Sequence, residues 1–377
     1  INDVFGAIDE ELTNTQSIPL TRVKVMGGVV DLQRRFAEGA EAGVPERLRL
    51  ARALVRFARA LQDMGDYPMS TTILTEALTW LRERTDATPE DHESLATRAH
   101  AQTLLGRAWF GRGNDAMART EFTRAVADHE RILTRDPNRH RERAELALIH
   151  AELALIHARV GESAAADDAL ARSRQGCQDV LARIREAEMA DDKPAWSHWD
   201  EPDVLPRVEL VIDLLESVSR ALSHRATTCL TLGRVEEARG DAALAVAHAR
   251  DCWVRNPFNP DARLVLTSAQ LGLAQALEAT HPDVAERIAR GSREMAAWLM
   301  EDLPGLLEPL SLERRAIAYL DRTLRARGRD AEAAALHKAE KDDVDRRTGW
   351  PSRHWSKDEP AELPFLRTPG HPTRSPN

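Results

Sequence analysis

The feature that most constrains this chain is a glycine that recurs at a fixed spacing. Gly65, Gly113 and Gly161 lie 48 residues apart, and each stands between two stretches whose apolar residues follow the period of an amphipathic helix. A glycine between two helical patterns predicts a tight turn, because glycine ends helices and adopts backbone conformations that other residues avoid. A unit that returns at a constant period indicates an array of stacked helical hairpins.

Two further glycines extend the series. Each of the five follows by seven residues a position where the first helix of a hairpin is expected to contact its neighbour. These pairs of positions are Ala58 and Gly65, Gly106 and Gly113, Ala154 and Gly161, Gly233 and Gly240, and Asp321 and Gly328. We therefore predict that the fourth hairpin turns at Gly240 and the sixth at Gly328. A fifth hairpin, without such a glycine, is predicted to turn at Thr280 and Pro282.

The composition favours an all-α fold and disfavours nucleic acid as a partner. Apolar residues make up 42% of the chain but aromatic residues only 5%, and the abundant alanine suits close packing of helices. A net charge of −9 and a pI near 5.9 lack the excess of cations that phosphate backbones require. Nearly all the positive charge is arginine, the side chain best suited to bidentate binding of carboxylate or phosphate.

The patterns divide the chain into five segments. We expect a helical lead-in over 1–44 with a helix start at Pro19, hairpins one to three over 45–188, and hairpins four to six over 207–347. Between the two sets, 189–206 is rich in proline and acidic residues and carries Trp196 and Trp199, which either anchor this loop or form a binding element. A proline-rich tail follows over 348–377.

The second hairpin resembles a tetratricopeptide repeat (TPR). Leu105 and Gly106 before the turn and Ala118 and Phe122 after it match the family pattern, with Trp109 in the place of its tyrosine. The resemblance covers roughly residues 45–347 and implies a right-handed α-α superhelix of about six hairpins. The period of 48 residues exceeds the usual ~34, which predicts helices about two turns longer than those of the family.

The sequence shows no enzyme motif that its context supports. Gly111, Gly113 and Ala116 satisfy a G-x-G-x-x-A string, but helix rather than strand precedes it, which argues against a dinucleotide site. A phosphate loop, a G-x-S-x-G elbow, an H-E-x-x-H motif and a kinase motif are absent from the sequence. We therefore predict no cofactor, no metal and no catalysis by this chain, with any catalytic domain lying upstream of Ile1.

One row of residues suggests a peptide-binding groove. In the family that the second hairpin resembles, the residue after the small contact position points into the concave groove, and here four of these five positions are arginine. They are Arg59, Arg107, Arg234 and Arg322, with Leu155 in the third hairpin. The row predicts binding of an acidic or C-terminal peptide. The alternative is that arginine is simply abundant and suits exposed helix positions.

The favoured function is a protein-interaction or sensing module of TPR type. The lead-in followed by degenerate repeats also resembles the repeat regions of bacterial signalling proteins that carry a serine/threonine kinase or a STAND-type ATPase domain. Three widely spaced cysteines fit neither a disulfide framework nor a zinc site, so we expect a reducing, cytoplasmic setting without membrane insertion. Two alternatives remain: a self-assembly scaffold, and an enzyme with a pocket beneath the Trp196 loop.

Overall fold

The structure is a computed structural model that describes residues 19–37, 44–87, 92–190, 205–257, 259–302 and 307–348. Every regular element in these ranges is a helix, so the predicted all-α class is confirmed. The chain divides into two compact units, Ile1–Ala316 and Ile317–Asn377, which are described separately. The expected loop around Trp196 and the proline-rich tail lie outside the described residues.

The helices follow one another as a lead-in helix and then antiparallel pairs. The lead-in is α1 (Pro19–Ala37), and the next three pairs are α2 (Val44–Asp63) with α3 (Tyr67–Ala87), α4 (His92–Gly111) with α5 (Asp115–Arg135), and α6 (His140–Arg159) with α7 (Ser163–Ala190). The last three are α8 (Leu205–Thr231) with α9 (Val235–Arg255), α10 (Pro260–Leu277) with α11 (Pro282–Asp302), and α12 (Leu307–Ala326) with α13 (Asp330–Thr348). The first unit ends within α12, and the second contains the rest of α12 and α13.

The turn within most hairpins is a helix end built around a left-handed glycine. Gly113 has φ of +73°; its N–H donates to the carbonyl of Phe110 at 2.9 Å, and the N–H of Asn114 donates to that of Trp109 at 2.9 Å. This is the Schellman pattern. The Asn114 side chain then accepts from the N–H of Met117 at 3.1 Å and caps the next helix, so two helices are joined by only three residues.

The register predicted for the fourth hairpin is wrong. Gly233 takes the left-handed turn, with φ of +74°, whereas Gly240 lies inside α9. The two glycines are seven residues apart, which is close to two helical turns, so both fit the apolar repeat equally well. With Gly233 as the turn, the contact position seven residues earlier is Ala226, which is buried. The predicted turns at Gly328 and at Thr280 and Pro282 are confirmed.

Small residues allow the two helices of a hairpin to approach closely, as the sequence predicted. A Cβ added to Gly106 on α4 would lie 2.6 Å from the ring of Phe122 on α5, and Phe122 is fully buried. Equivalent positions in other hairpins of the first unit, Ala58 and Ala154, are also fully buried. The helices can therefore interlock without bulk at the crossing point.

First helices also pack on first helices in the first unit. Besides the two helices of each hairpin, α2 packs on α4, α6 on α8, and α8 on α10, so that unit is a TPR-like helical solenoid. Helices α2 to α6 contain 20 or 21 residues each, which fits the long helices expected from the period. Within the described ranges, no helix combines the length and apolar character needed to cross a bilayer.

We predict opposite effects of alanine at the two glycines of the fourth hairpin. Gly233→Ala should cost roughly 1 kcal/mol of unfolding free energy or more, because an L side chain is strained at a positive φ. Gly240→Ala should be neutral or stabilise by about 0.5–1 kcal/mol, since a Cβ there meets no atom within 4 Å. Urea denaturation measures both, and a larger loss at Gly240 than at Gly233 would contradict this register.

Candidate functional site

Charged side chains recur along one face of the first helices, and we call this set the charged face. On α4 and α6 they are seven residues apart, a spacing that places them on the same side of a helix. The charged face comprises Arg59 on α2; His100 and Arg107 on α4; Glu145, Glu152 and Arg159 on α6; Glu216, Arg220 and His224 on α8; and Glu308 and Arg315 on α12. All of these residues belong to the first unit.

Arg107 connects α4 to α6 through two carboxylates. Its Nε donates to Glu152 Oε1 at 2.8 Å, and its Nη2 lies 2.9 Å from Glu145 Oε1. Burial would raise the pKa of Glu145, but Arg107 and two nearby histidines outweigh it, so this pKa is lowered. For Glu152 burial dominates and the pKa is raised despite Arg107. Arg107, Glu145 and Glu152 therefore form a partly enclosed ion network rather than a surface salt bridge.

Arg220 likewise connects two helices of the charged face. Its guanidinium lies 3.0 Å from Glu216, one turn earlier on α8, and 3.7 Å from Glu308 on α12. Burial would lower the pKa of Arg220, but Glu216, Glu308 and Asp261 raise it further than burial lowers it. Arg220 thus bridges α8 to the first half of α12 within the first unit.

His224 is a partly buried histidine of the charged face. It lies one turn beyond Arg220 on the same side of α8. Burial is the largest cause that lowers the pKa of His224 to about 3, and the charges of Arg107, Arg220, Arg315 and Arg159 contribute to the same shift in that order. The imidazole is therefore neutral at pH 7.

Two arginines of the charged face have no carboxylate within ion-pair distance among the described residues. Arg59 is exposed on α2, yet it acts electrostatically on Glu145 of α6 and Glu216 of α8. Arg315 is also exposed, and burial nevertheless lowers its pKa although Glu308 raises it. Each offers a guanidinium that no described carboxylate contacts.

The structure brings together two of the four predicted groove arginines. Arg59 and Arg107 both act electrostatically on His100 and on Glu145. Arg234 is placed elsewhere: it precedes α9 as its N-cap residue, and its guanidinium lies 2.5 Å from Asp167 on α7. The error follows from the register, because the position six residues before the turn at Gly233 is Thr227, whereas Arg234 follows that turn.

The fourth predicted arginine, Arg322, belongs to the second unit. Its guanidinium carbon lies 5.5 Å from the centroid of the Tyr319 ring one turn earlier on α12, a distance at which the ring attracts a cation. Leu155, which the row placed among the arginines, is buried in α6. The peptide-binding role of the row stays a prediction.

Sequence reasoning missed Arg220, His224 and Arg315. A signal was available, because Glu145, Glu152 and Arg159 form a seven-residue series on α6, and Glu308 and Arg315 repeat this spacing on α12. The sequence does not show which side of each helix faces the neighbouring helices. Within the described ranges, histidines, cysteines and acids form no group of three that could hold a metal ion.

Comparisons with known proteins give structural likeness alone. No protein-family model matches the chain, and no curated protein matches it. BtubC (BKLC) from P. vanneervenii is similar at 14% identity and a TM-score of 0.37, over 92% of this chain and 97% of that one. A putative kinesin light chain with TPR-like repeats from Podosopora anserina is similar at 17% identity and a TM-score of 0.37, over 68% and 98%.

A third similar structure is the TPR2AB domain of yeast Sti1 in complex with pHSP90, at 15% identity and a TM-score of 0.23, over 82% of this chain and 99% of that one. At identities and TM-scores this low, the description of the fold rests on the helices of this chain.

We predict that Arg107→Ala destabilises the first unit by roughly 3 kcal/mol, because it leaves the buried Glu152 carboxylate unpaired. The control is Arg119→Ala, which removes an ion pair with Glu162 whose side chains are 42% and 45% exposed and should cost less than about 1 kcal/mol. Adding Glu152→Gln to Arg107→Ala should recover much of the loss. Equal losses for Arg107→Ala and Arg119→Ala in urea denaturation would show that the network is not enclosed.

We further predict that the free energy of unfolding falls as the pH drops below about 6.5. Burial, together with nearby arginines, holds the pKa of His224 at about 3 and that of His100 at about 4. Between these values and the ordinary value, the unfolded chain binds protons that the folded chain excludes, at up to roughly 1.4 kcal/mol per pH unit for each histidine. Above a pH of about 6.5 this dependence of the unfolding free energy on pH is absent.

The measurement is urea denaturation at a series of pH values for the wild type, His224→Asn and His92→Asn. His224→Asn should make the decline between pH values of about 6 and about 4 shallower, whereas His92→Asn, at an exposed position at the start of α4, should leave it nearly unchanged. An identical slope in all three proteins would show that His224 is not held neutral by its surroundings.

Proposed function

We propose that this chain is a protein-interaction module that binds an acidic segment of a partner protein along the charged face. The observation that carries the proposal is the guanidinium of Arg59. It is exposed, has no ion partner among the described residues, and acts on the same histidine and carboxylate as Arg107. An incoming carboxylate would gain an arginine partner without first displacing another carboxylate from it.

The arrangement suits an extended ligand. The charged face crosses five helices, and each contributes one to three polar groups. Arg107 and Arg220 are already held in position by carboxylates on other helices, so a ligand meets a surface whose side chains are ordered before binding. Such preorganisation lowers the entropy cost of association, and alternating charges along a surface favour one register of the bound segment over others.

The charged face suits binding better than acid–base catalysis. A general base works best with a pKa near the operating pH, but the pKa values of His100 and His224 are lowered to about 4 and about 3. The carboxylates of Glu145 and Glu152 are engaged by Arg107. We therefore propose that the chain contributes recognition and that it has no catalytic activity of its own.

The proposed setting is a bacterial signalling protein in the cytoplasm, with the module following a kinase or ATPase domain. This part of the proposal rests on the resemblance of the lead-in and repeats to such proteins. It is tested by the coding sequence that precedes Ile1, where a protein-kinase or nucleotide-binding motif would support it. Self-assembly stays a prediction that light scattering over a range of protein concentrations would test.

The binding proposal predicts capture of a short peptide in which glutamate alternates with serine. Fluorescence anisotropy of the labelled peptide should rise with the wild-type protein, and the affinity should fall as salt screens the charges. Arg59→Glu should weaken binding roughly tenfold or more, because it removes one charge-assisted contact and adds a repulsion.

The matched control is Arg131→Glu, which makes the same charge change at an exposed position on α5 outside the charged face. A peptide with lysine in place of glutamate should not bind. Equal weakening by Arg59→Glu and Arg131→Glu would show that attraction is diffuse, and binding of the lysine peptide would contradict recognition of acidic segments.

A further inference from the structure

The fourth hairpin contains a buried ion pair between its two helices. Arg225 on α8 and Asp241 on α9 are both buried, and Nη2 of Arg225 donates to Oδ1 of Asp241 at 2.6 Å. We infer that this ion pair fixes the register of the hairpin, with the turn at Gly233 and not at Gly240. The inference concerns how the chain selects one fold, and it is independent of the proposed function.

The position of the ion pair follows from antiparallel geometry. Residues that lie equally far from a turn stand opposite each other in an antiparallel helical hairpin, and Arg225 and Asp241 each lie eight residues from Gly233. A second buried contact has nearly the same register. The Ser219 hydroxyl donates to the carbonyl of Ala245 at 2.8 Å, and these residues lie fourteen and twelve residues from the turn.

Arg225 would meet a like charge if the chain turned at Gly240. Arg225 and Arg255 each lie fifteen residues from Gly240, so the two cations would stand opposite each other, and Asp241 would lie in the turn. The apolar pattern does not distinguish the two registers, because the two glycines lie close to two helical turns apart. Opposite charges that meet in one register and like charges that meet in the other supply the missing preference.

The ion pair contributes specificity rather than stability. Arg225 Nε and Asp241 Oδ2 are buried and have no hydrogen-bond partner among the described residues. Burial raises the pKa of Asp241 although Arg225 and Arg174 lower it, so desolvation of the carboxylate outweighs its attraction to the arginines. Apolar residues of similar volume commonly give equal or higher stability at such a position. What the ion pair provides is a difference in free energy between the two registers.

The second hairpin has the same combination of features. It also carries two glycines seven residues apart, Gly106 and Gly113, and it turns at the second of them. Arg98 on α4 donates to Asp128 on α5 through Nε at 2.7 Å and through Nη2 at 2.6 Å, and both residues lie fifteen residues from Gly113. With a turn at Gly106, Arg98 would stand opposite Asn114 and lose this carboxylate. The same device therefore occurs in both hairpins that have glycines at this spacing.

The register also determines the surroundings of Arg234. With the turn at Gly233, Arg234 is the N-cap residue of α9 and pairs with Asp167 on α7. With the turn at Gly240, Arg234 would lie on the first helix six residues before the turn, which is the position of Arg107 in the second hairpin. The ion pair therefore keeps Arg234 away from the charged face.

The experiment measures the register in the full chain by pulsed electron paramagnetic resonance. Spin labels are attached at Glu209→Cys on α8 and Val254→Cys on α9, which are exposed positions, whereas the native cysteines are buried. In the observed register the labels lie at nearly the same height along the hairpin. A turn at Gly240 would place them about 20 Å further apart along the helix axis. The labelled protein without further changes should show a single short distance.

The test variant replaces the ion pair by apolar side chains, Arg225→Met with Asp241→Leu. Its urea midpoint should equal or exceed that of the wild type, yet a second, longer distance should appear in at least about a tenth of the molecules. Adding Gly240→Ala should remove the longer distance, because an L side chain is strained in a left-handed turn. The matched control, Glu236→Leu with Arg239→Met, removes an exposed ion pair within α9 and should keep the single short distance.

A more conservative variant, Arg225→Gln with Asp241→Asn, removes both charges but keeps hydrogen-bonding groups in the core. It should also show the longer distance, and circular dichroism checks that each variant folds. A single short distance in the folded apolar variant, or in the conservative variant if the apolar one does not fold, would overturn the inference. A longer distance that persists after Gly240→Ala, or that appears equally in the matched control, would overturn it as well.

Discussion

The tight left-handed turn is the constraint on which the rest of this structure depends. At Gly113 the chain leaves one helix through two backbone hydrogen bonds and enters the next at Asn114, whose side chain caps it. Only a turn this short forces consecutive long helices to return antiparallel and side by side. Where the helices cross, Gly106 leaves room for the ring of Phe122. The glycine turn and the close helix contact together fix the geometry of the hairpin. The stacking of hairpins then determines which faces of the first helices come together.

The stacking has an electrostatic consequence. The stacked hairpins bring the polar sides of first helices within reach, and arginine is long enough to bridge between two helices. Arg107 and Arg220 do so by engaging carboxylates on α6 and α12. Because such partly enclosed pairs cost desolvation, they add less to stability than their number suggests. What they provide is a polar surface with fixed geometry, in which Arg59 and Arg315 contact no described carboxylate.

Much of the fold was predictable because glycine turns and helical periodicity are local properties of a sequence. The all-α class, the long helices, the turns at Gly65, Gly113 and Gly161, and the small contact at Gly106 follow from them. The turn of the fourth hairpin was not predictable, because Gly233 and Gly240 lie close to two helical turns apart and periodicity cannot distinguish them. That ambiguity carried into the candidate site, where Arg234 was placed on the wrong side of the turn.

The sequence by itself determined the helices, most of their ends and the abundance of arginine, since each depends on residues close together in the chain. Only the tertiary structure decided which arginines are compensated. Glu152 meets Arg107 from 45 residues away, and Glu308 meets Arg220 from a different hairpin. The charge around His224 is a sum over helices that are distant in sequence, so it exists only once the hairpins have stacked.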